Sequence, residues 1–204
     1  MIANWINKKY LNKKTIKKIS HSFLNASPYP HFVLNNFFNK NRLMQLKNEI
    51  LNEKFEKIDK DLFSFYNTKE LKYSKNKIIR DFFNFLSSNE FIALMEKLTN
   101  ENKLNGIDMH AHIFKQGDYL LFHDDVVEGR VIAYIIYLSQ GFNAKDGGRL
   151  QLYGIKNPLN PIKQIAPEFN SFVCFKVSNK SLHAVEEVMT KKQRLTIGGW
   201  FHGN

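Results

Sequence analysis

The sequence predicts an α+β fold: a double-stranded β-helix (jelly roll) with N-terminal helices packed against one of its sheets. Three observations lead there. Apolar positions at helical spacing are concentrated in the first hundred residues. From Asn105 onward the pattern changes to many short strands parted by turn residues. Within that second half, the strand pattern Leu120-Leu121-Phe122 runs straight into His123-Asp124-Asp125, a histidine and two carboxylates at a strand end.

Taken in order, residues 9–24 read as a basic helix with Tyr10, Leu11, Ile16, Ile19 and Phe23 on one apolar face. Residues 26–30 break it, because each of the two prolines disfavours helix in the residue before it. Residues 31–34 read as a strand, 39–52 as a helix burying Leu43, Leu46, Ile50 and Leu51, and 62–66 as a strand. Residues 78–86 and 90–98 are two further helices rich in phenylalanine. Residues 107–114 alternate, with Ile107, Met109, Ala111 and Ile113 on one face. Strands at 119–122, 130–138, 149–153, 171–177 and 194–201 follow. Turn residues separate them, among them Gly117-Asp118, Gly147-Gly148, Asn157-Pro158 and Ser178-Asn179. The expected organisation is one domain over 1–204: a basic helical arm at 1–26, mainly helical support at 27–104 and the jelly-roll core at 105–204.

Composition narrows the function classes. With 204 residues, 43% of them hydrophobic and 18 of them phenylalanine, the chain can bury a core and is not a disordered segment. A single cysteine, Cys174, lies in an apolar run, so it reads as a small buried residue. It permits no internal disulfide, which fits a reducing compartment. The opening Met1-Ile2-Ala3-Asn4-Trp5 lacks a signal-peptide pattern and no run of eighteen apolar residues occurs, so no membrane is expected and the location reads as cytoplasmic. The net charge is +11. Two readings of it stay open: plain abundance of lysine and asparagine, or an acidic partner such as an RNA-rich surface. The charge is uneven, since Lys8, Lys9, Lys13, Lys14, Lys17 and Lys18 fall in one stretch without an acid.

The chemistry-bearing residues gather in the second half. A strand sends alternate residues to one face, so His123 and Asp125 are expected to point the same way. One imidazole and one carboxylate are two-thirds of the facial site that holds iron(II) and leaves positions open for substrate and oxygen. His183, at the head of another strand-like segment, is the third candidate ligand. Eleven residues further on, Arg194 and Thr196 are two apart on a strand and can address one ligand carboxylate, the guanidinium as a bidentate fork. His110 and His112 form a second histidine pair, read as packing or as polarity on the substrate side. His202 reads as structural or at the cavity rim. Gly198 and Gly199 read as allowing close strand packing, and Asp124 and Arg130 as facing a substrate groove.

The combination His123-x-Asp125, His183, Arg194-x-Thr196 resembles the iron(II)- and 2-oxoglutarate-dependent oxygenases. The stretch 121–203 is similar, more narrowly, to prolyl hydroxylases that modify a ribosomal protein or a translation factor. Carrying that likeness are Gly129-Arg130-x-Ile132-Ala133-Tyr134-Ile135-x-Tyr137-Leu138, Gly147-Gly148-x-Leu150-x-Leu152-Tyr153, Ser181-x-His183-x-Val185-x-Glu187-Val188 and Arg194-Leu195-Thr196-Ile197-x-Gly199-Trp200. The resemblance implies the catalytic domain alone, without the second, non-catalytic barrel of the eukaryotic relatives. It implies Fe(II) on His123, Asp125 and His183. It further implies 2-oxoglutarate held at its far carboxylate by Arg194 and Thr196 with a contact from Tyr137, O2 as second cosubstrate, and ascorbate as an accessory. Relatives with a small residue in place of Asp125 halogenate, so hydroxylation is the implied outcome. Its implied substrate is a protein carrying a target proline. Three other readings are a nucleic-acid demethylase, a hydroxylase of a small molecule such as an amino acid, and a non-catalytic ribosome-binding barrel. Against the first, Trp200 stands where those demethylases usually carry a second arginine; against the last, every implied ligand is retained.

Overall fold

Asparagine and serine side chains set where the helices begin. In the computed structural model, which describes residues 2–155 and 158–203, the helices are α1 (Ile2–Trp5), α2 (Lys13–Leu24), α3 (Lys40–Ile50), α4 (Lys77–Leu86) and α5 (Asn89–Thr99). Asn12, Asn39, Asn76 and Ser88 accept hydrogen bonds from first-turn amides of the four longer ones. Part of the asparagine abundance is therefore capping chemistry. Residue Asn157, in an expected turn, lies outside the described residues.

Twelve strands are described: β1 (His31–Asn35), β2 (Phe55–Lys60), β3 (Phe63–Thr68), β4 (Leu104–Ile107), β5 (His110–Phe114), β6 (Tyr119–His123), β7 (Arg130–Tyr137), β8 (Leu150–Leu152), β9 (Lys163–Ile165), β10 (Ser171–Lys176), β11 (His183–Val185) and β12 (Arg194–Gly203). They form one curled sheet in the order β1-β10-β7-β12-β5-β3-β6-β11-β8-β9, with β2 added to β3 and β4 to β12. The described pairings are antiparallel. One wall centres on β12, between β7 and β5. In the other, β11 lies between β6 and β8. This is the jelly roll with helices that the sequence predicts.

Alternation along two strands decides which surface faces what. On β10, Phe172 and Cys174 face the helices while Val173 and Phe175 face the space between the walls, so both sides of the strand are buried. Cys174 is buried as expected. On β12, Leu195, Ile197 and Phe201 join the helix-side core; Arg194, Thr196, Gly198 and Trp200 line the interior. Phe172 is the hub of the outer core, in ring contact with Phe37, Phe38 and Phe91. Fully buried Phe23, Phe82 and Phe85 extend that core.

Four features depart from the reading. The expected strand at 107–114 is two strands, because Asp108 and Met109 leave the ladder while Tyr134 Oη donates to the Asp108 carbonyl at 2.8 Å. That carbonyl explains Gly199: a Cβ there would stand 2.2 Å from the Asp108 oxygen. β2 and β9 were not expected; their polar outer residues hide the strand pattern. The segment read as mainly helical support contributes β1 and β3 to the sheet itself. The expected helix at 9–24, finally, is a short 3-10 turn (Lys8–Leu11) and α2, parted by Asn12, and this arm is packed on the core. Trp5 stacks on Phe85 at 5.7 Å, Tyr10 meets Phe37 at 4.9 Å, and Phe23 is fully buried.

Candidate active site

The interior between the walls holds a cavity of about 240 Å³, lined by His123, Asp125 and His183 and by Arg194 and Thr196 among others. At ~30 Å³ per water this is room for a small organic ligand rather than a lone ion.

β6 ends at His123, and β11 begins at His183; the two are register partners in adjacent antiparallel strands. Their rings lie 4.0 Å apart. Asp125 joins them by a route that strand alternation does not describe. The strand has already stopped, and Asp125 has φ +64°, a left-handed conformation that folds its carboxylate back toward the rings. The Asp124 side chain accepts from the Val126 amide at 3.1 Å and so holds this turn. Asp124 thus has a structural task and is not among the residues lining the cavity.

Nδ1 of His123 lies 2.8 Å from the Leu121 carbonyl, and Nδ1 of His183 lies 2.7 Å from the Ser181 carbonyl. A carbonyl can only accept, so each Nδ1 donates, and Nε2 is the ring atom left to bind a metal. His123 Nε2 is 3.5 Å from Asp125 Oδ1, and His183 Nε2 is 3.4 Å from Asp125 Oδ2. Ligand atoms of all three residues lie within 4.8 Å of one another. Two lone pairs and a carboxylate converging on one point are a donor set for a divalent cation, and iron(II) fits it.

Burial, then the charge of His183, push the His123 imidazole down to about 4, so it stays unprotonated at neutral pH. For Asp125, burial pulls upward, but the two histidines, His183 more than His123, outweigh it and keep the carboxyl below its ordinary range. Both are therefore in the metal-binding form. The carbonyls of Leu121 and Ser181 were not legible as part of the site. The only available signal was that each stands two residues before a histidine of the trio.

Arg194 is 2% exposed. Its Nε donates to the Gly148 carbonyl at 2.8 Å, its Nη2 is 3.5 Å from Tyr137 Oη, and the guanidinium lies over the Phe114 and Tyr137 rings. Among the described residues no carboxylate pairs with it. Burial lowers its pKa, with Tyr137 opposing. A buried cation without an anion at the edge of a cavity is a binding point for an anionic ligand. Tyr137 is fully buried against Arg194 and does not line the cavity. Its hydroxyl stands beside the guanidinium at the same end of the cavity.

Other singled-out residues resolve individually. His110 Nδ1 lies 3.2 Å from the Thr68 carbonyl. It does not join the one group of three metal-binding side chains found among the described residues. His202 is paired with Asp108 at 2.8 Å, a structural role near the end of β12. Arg130 stacks over Trp200, 3.4 Å from the ring centroid, and so reaches the cavity only through that indole.

Comparison with known proteins follows the same direction. Residues 109–202 match the 2OG-Fe(II) oxygenase superfamily. The chain is 37% identical to the prolyl 3-hydroxylase OGFOD1 of Xenopus laevis, over 88% of this chain and 36% of that protein. It is 33% identical to a prolyl 3,4-dihydroxylase of Ostreococcus tauri, over 92% of this chain and 40% of that protein. It thus spans little more than a third of the length of these curated relatives. A Pseudomonas putida prolyl-4-hydroxylase shares the fold, with a TM-score of 0.74 at 14% identity over 93% of this chain and 99% of the other.

Proposed function

Since this chain carries a 2OG-Fe(II) oxygenase domain, we propose that it hydroxylates a prolyl residue of a protein, using Fe(II), 2-oxoglutarate and O2. The observation that carries this reading is the pairing, across one cavity, of the His123–Asp125–His183 trio with a buried guanidinium that has no anion of its own. Bound there, iron and 2-oxoglutarate supply the oxidising power, with succinate and carbon dioxide as the cosubstrate's products.

The chain's own contributions follow from the geometry. Nε2 of His123 and of His183 and the Asp125 carboxylate would hold the metal. Leu121 and Ser181 fix the ring orientation through their carbonyls. Arg194, with Thr196 beside it on β12, takes the far carboxylate of the cosubstrate, and Tyr137 braces Arg194 from behind. Phe63, Phe65, Phe114 and Phe175 line the cavity and keep water out. Asp125 fills a position that a halide would need, which favours hydroxylation.

The substrate reading rests on the relatives' names and on the residues around the metal ligands. Leu121, Phe122, Val126 and Val127 flank His123 and Asp125 in sequence and are exposed, a surface suited to an extended, apolar, proline-bearing segment. We read the substrate as a ribosomal protein or a translation factor, met in the cytoplasm. The exposed lysines of α2 would be drawn to its RNA-rich surroundings, and ascorbate would keep the metal reduced. Incubation of such proteins with the chain, Fe(II), 2-oxoglutarate and oxygen, followed by peptide mass spectrometry, tests this. One added oxygen on a single proline is expected. Succinate formed only with free amino acids or nucleic acid would overturn it.

A further inference from the structure

One polar side chain in the cavity wall takes no part in the chemistry above. His112 lies on β5, with Thr196 of β12 as its register partner on one side and Asn67 of β3 on the other. Cross-strand partners share a face, so Asn67, His112 and Thr196 form a polar row, and His112 and Thr196 line the cavity. His110, two residues back, is tied to the Thr68 carbonyl. His112 is not. Among the described residues no hydrogen bond reaches either of its ring nitrogens, and Oδ1 of Asn67 beside it is buried and equally without a partner. Its ring neighbours are Phe65, 5.6 Å away and edge-on, and His110, 6.4 Å away. His112 is half-buried at the cavity wall, and an imidazole kept there for packing alone would be expected to have found a partner within the chain.

Gly198 lies against the other strand: a Cβ there would stand 3.2 Å from the Tyr134 carbonyl and in ordinary contact, 3.5 Å, with the His112 ring. Burial first, then the charges of His110 and Arg194, hold the imidazole neutral, down to about 3. It therefore offers one N–H at neutral pH. Arg194 sits one register step away, opposite Phe114.

We propose that His112 is a binding residue for the cosubstrate: its imidazole N–H donates to a carboxylate oxygen of 2-oxoglutarate lying between Arg194 and the His123–Asp125–His183 trio. This rests on the oxygenase reading above. A dianion anchored on Arg194 and reaching the trio passes the row that Thr196 and His112 form. The carboxylate supplies the acceptor that the chain withholds, and a charged acceptor makes the bond a strong one.

The test is equilibrium binding of 2-oxoglutarate to the Mn(II)-loaded full chain, by titration calorimetry, for wild type, His112→Ala, His112→Gln and Arg194→Ala. It is joined by the ring ¹⁵N signals of His112 with and without 2-oxoglutarate. Loss of one hydrogen bond to a charged group corresponds to about tenfold to a hundredfold weaker binding. That is the loss expected for His112→Ala. His112→Gln, which keeps an N–H donor, recovers part of it, and the ¹⁵N signals of the wild-type ring move when 2-oxoglutarate is added. Thermal unfolding of the metal-loaded variants checks that they fold. Failure of the wild type to bind, or binding by Arg194→Ala at wild-type strength, defeats the oxygenase reading itself. Wild-type binding that needs Arg194 but is unchanged in both His112 variants, with still ¹⁵N signals, overturns the proposal and leaves that reading standing. The same holds if the variants raise only the KM for the protein substrate, which would assign His112 to the other ligand.

Discussion

Arg194→Met separates binding from folding, because the two respond in opposite directions. In the free protein the guanidinium is buried, pairs with no carboxylate among the described residues, and has one good hydrogen bond, to the Gly148 carbonyl at 2.8 Å. Methionine fills much of the same volume without bringing a charge into the core. Removing the uncompensated cation relieves desolvation, while leaving the Gly148 carbonyl unpaired costs on the order of 1 kcal/mol. The stability of the free protein should therefore be unchanged or higher, in contrast to the ~3–5 kcal/mol loss for breaking a buried pair. With 2-oxoglutarate the sign reverses. Losing a buried charge pair with the ligand costs about 2–5 kcal/mol, roughly thirtyfold to several thousandfold in affinity. At a ligand concentration a hundredfold above its dissociation constant, wild type gains about 2.7 kcal/mol of stability. The variant at that concentration should gain less than about 1 kcal/mol. Chemical denaturation of the Mn(II)-loaded protein, with and without 2-oxoglutarate, reads both quantities. A large destabilisation of the free variant together with a wild-type ligand gain would refute the argument, since Arg194 would then be a structural cation and the carboxylate would be held elsewhere.

Two further predictions follow from the site and the surface. One Fe(II) or Mn(II) per chain should bind to wild type, and Asp125→Ala or His183→Ala should lose tight binding and turnover together; full activity in His183→Ala would end the ligand assignment. On α2, Lys13, Lys14, Lys17 and Lys18 are exposed, so replacing all four by glutamine should slow hydroxylation of a full-length acidic or RNA-bound partner but not of a short proline peptide. That difference should fade with salt, because the Debye length shrinks from about 10 Å at 0.1 M to roughly 3 Å at 1 M; equal rates on the full partner at low salt would discard electrostatic steering.

The jelly roll, the trio and the Arg194–Thr196 pair were legible because each rests on strand periodicity or on spacing. What was not legible depends on the third dimension. Asp125 was expected to share a face with His123 by alternation. It does meet His123, but through a left-handed residue after the strand has ended, a conformation that no spacing rule states. The burial of Tyr137 beside Arg194 comes from the β7–β12 pairing, where it opposes Thr196. β2 escaped detection because Glu56, Lys57, Asp59 and Lys60 give it an edge strand's polarity, and only its pairing with β3 makes it a strand. The N-terminal segment is the most instructive case. Its six lysines draw attention to charge, yet the helical spacing of Ile16, Ile19 and Phe23 was visible in the same stretch, and burial follows that spacing. Charge and core occupy opposite faces of α2. Removing residues 1–24 would therefore take Trp5, Tyr10 and Phe23 out of the outer core, whose hub Phe172 sits on β10 directly behind the cavity-lining Phe175. Such a truncation would disturb the site and the charge at once, whereas substitution at the exposed lysines alters only the charge.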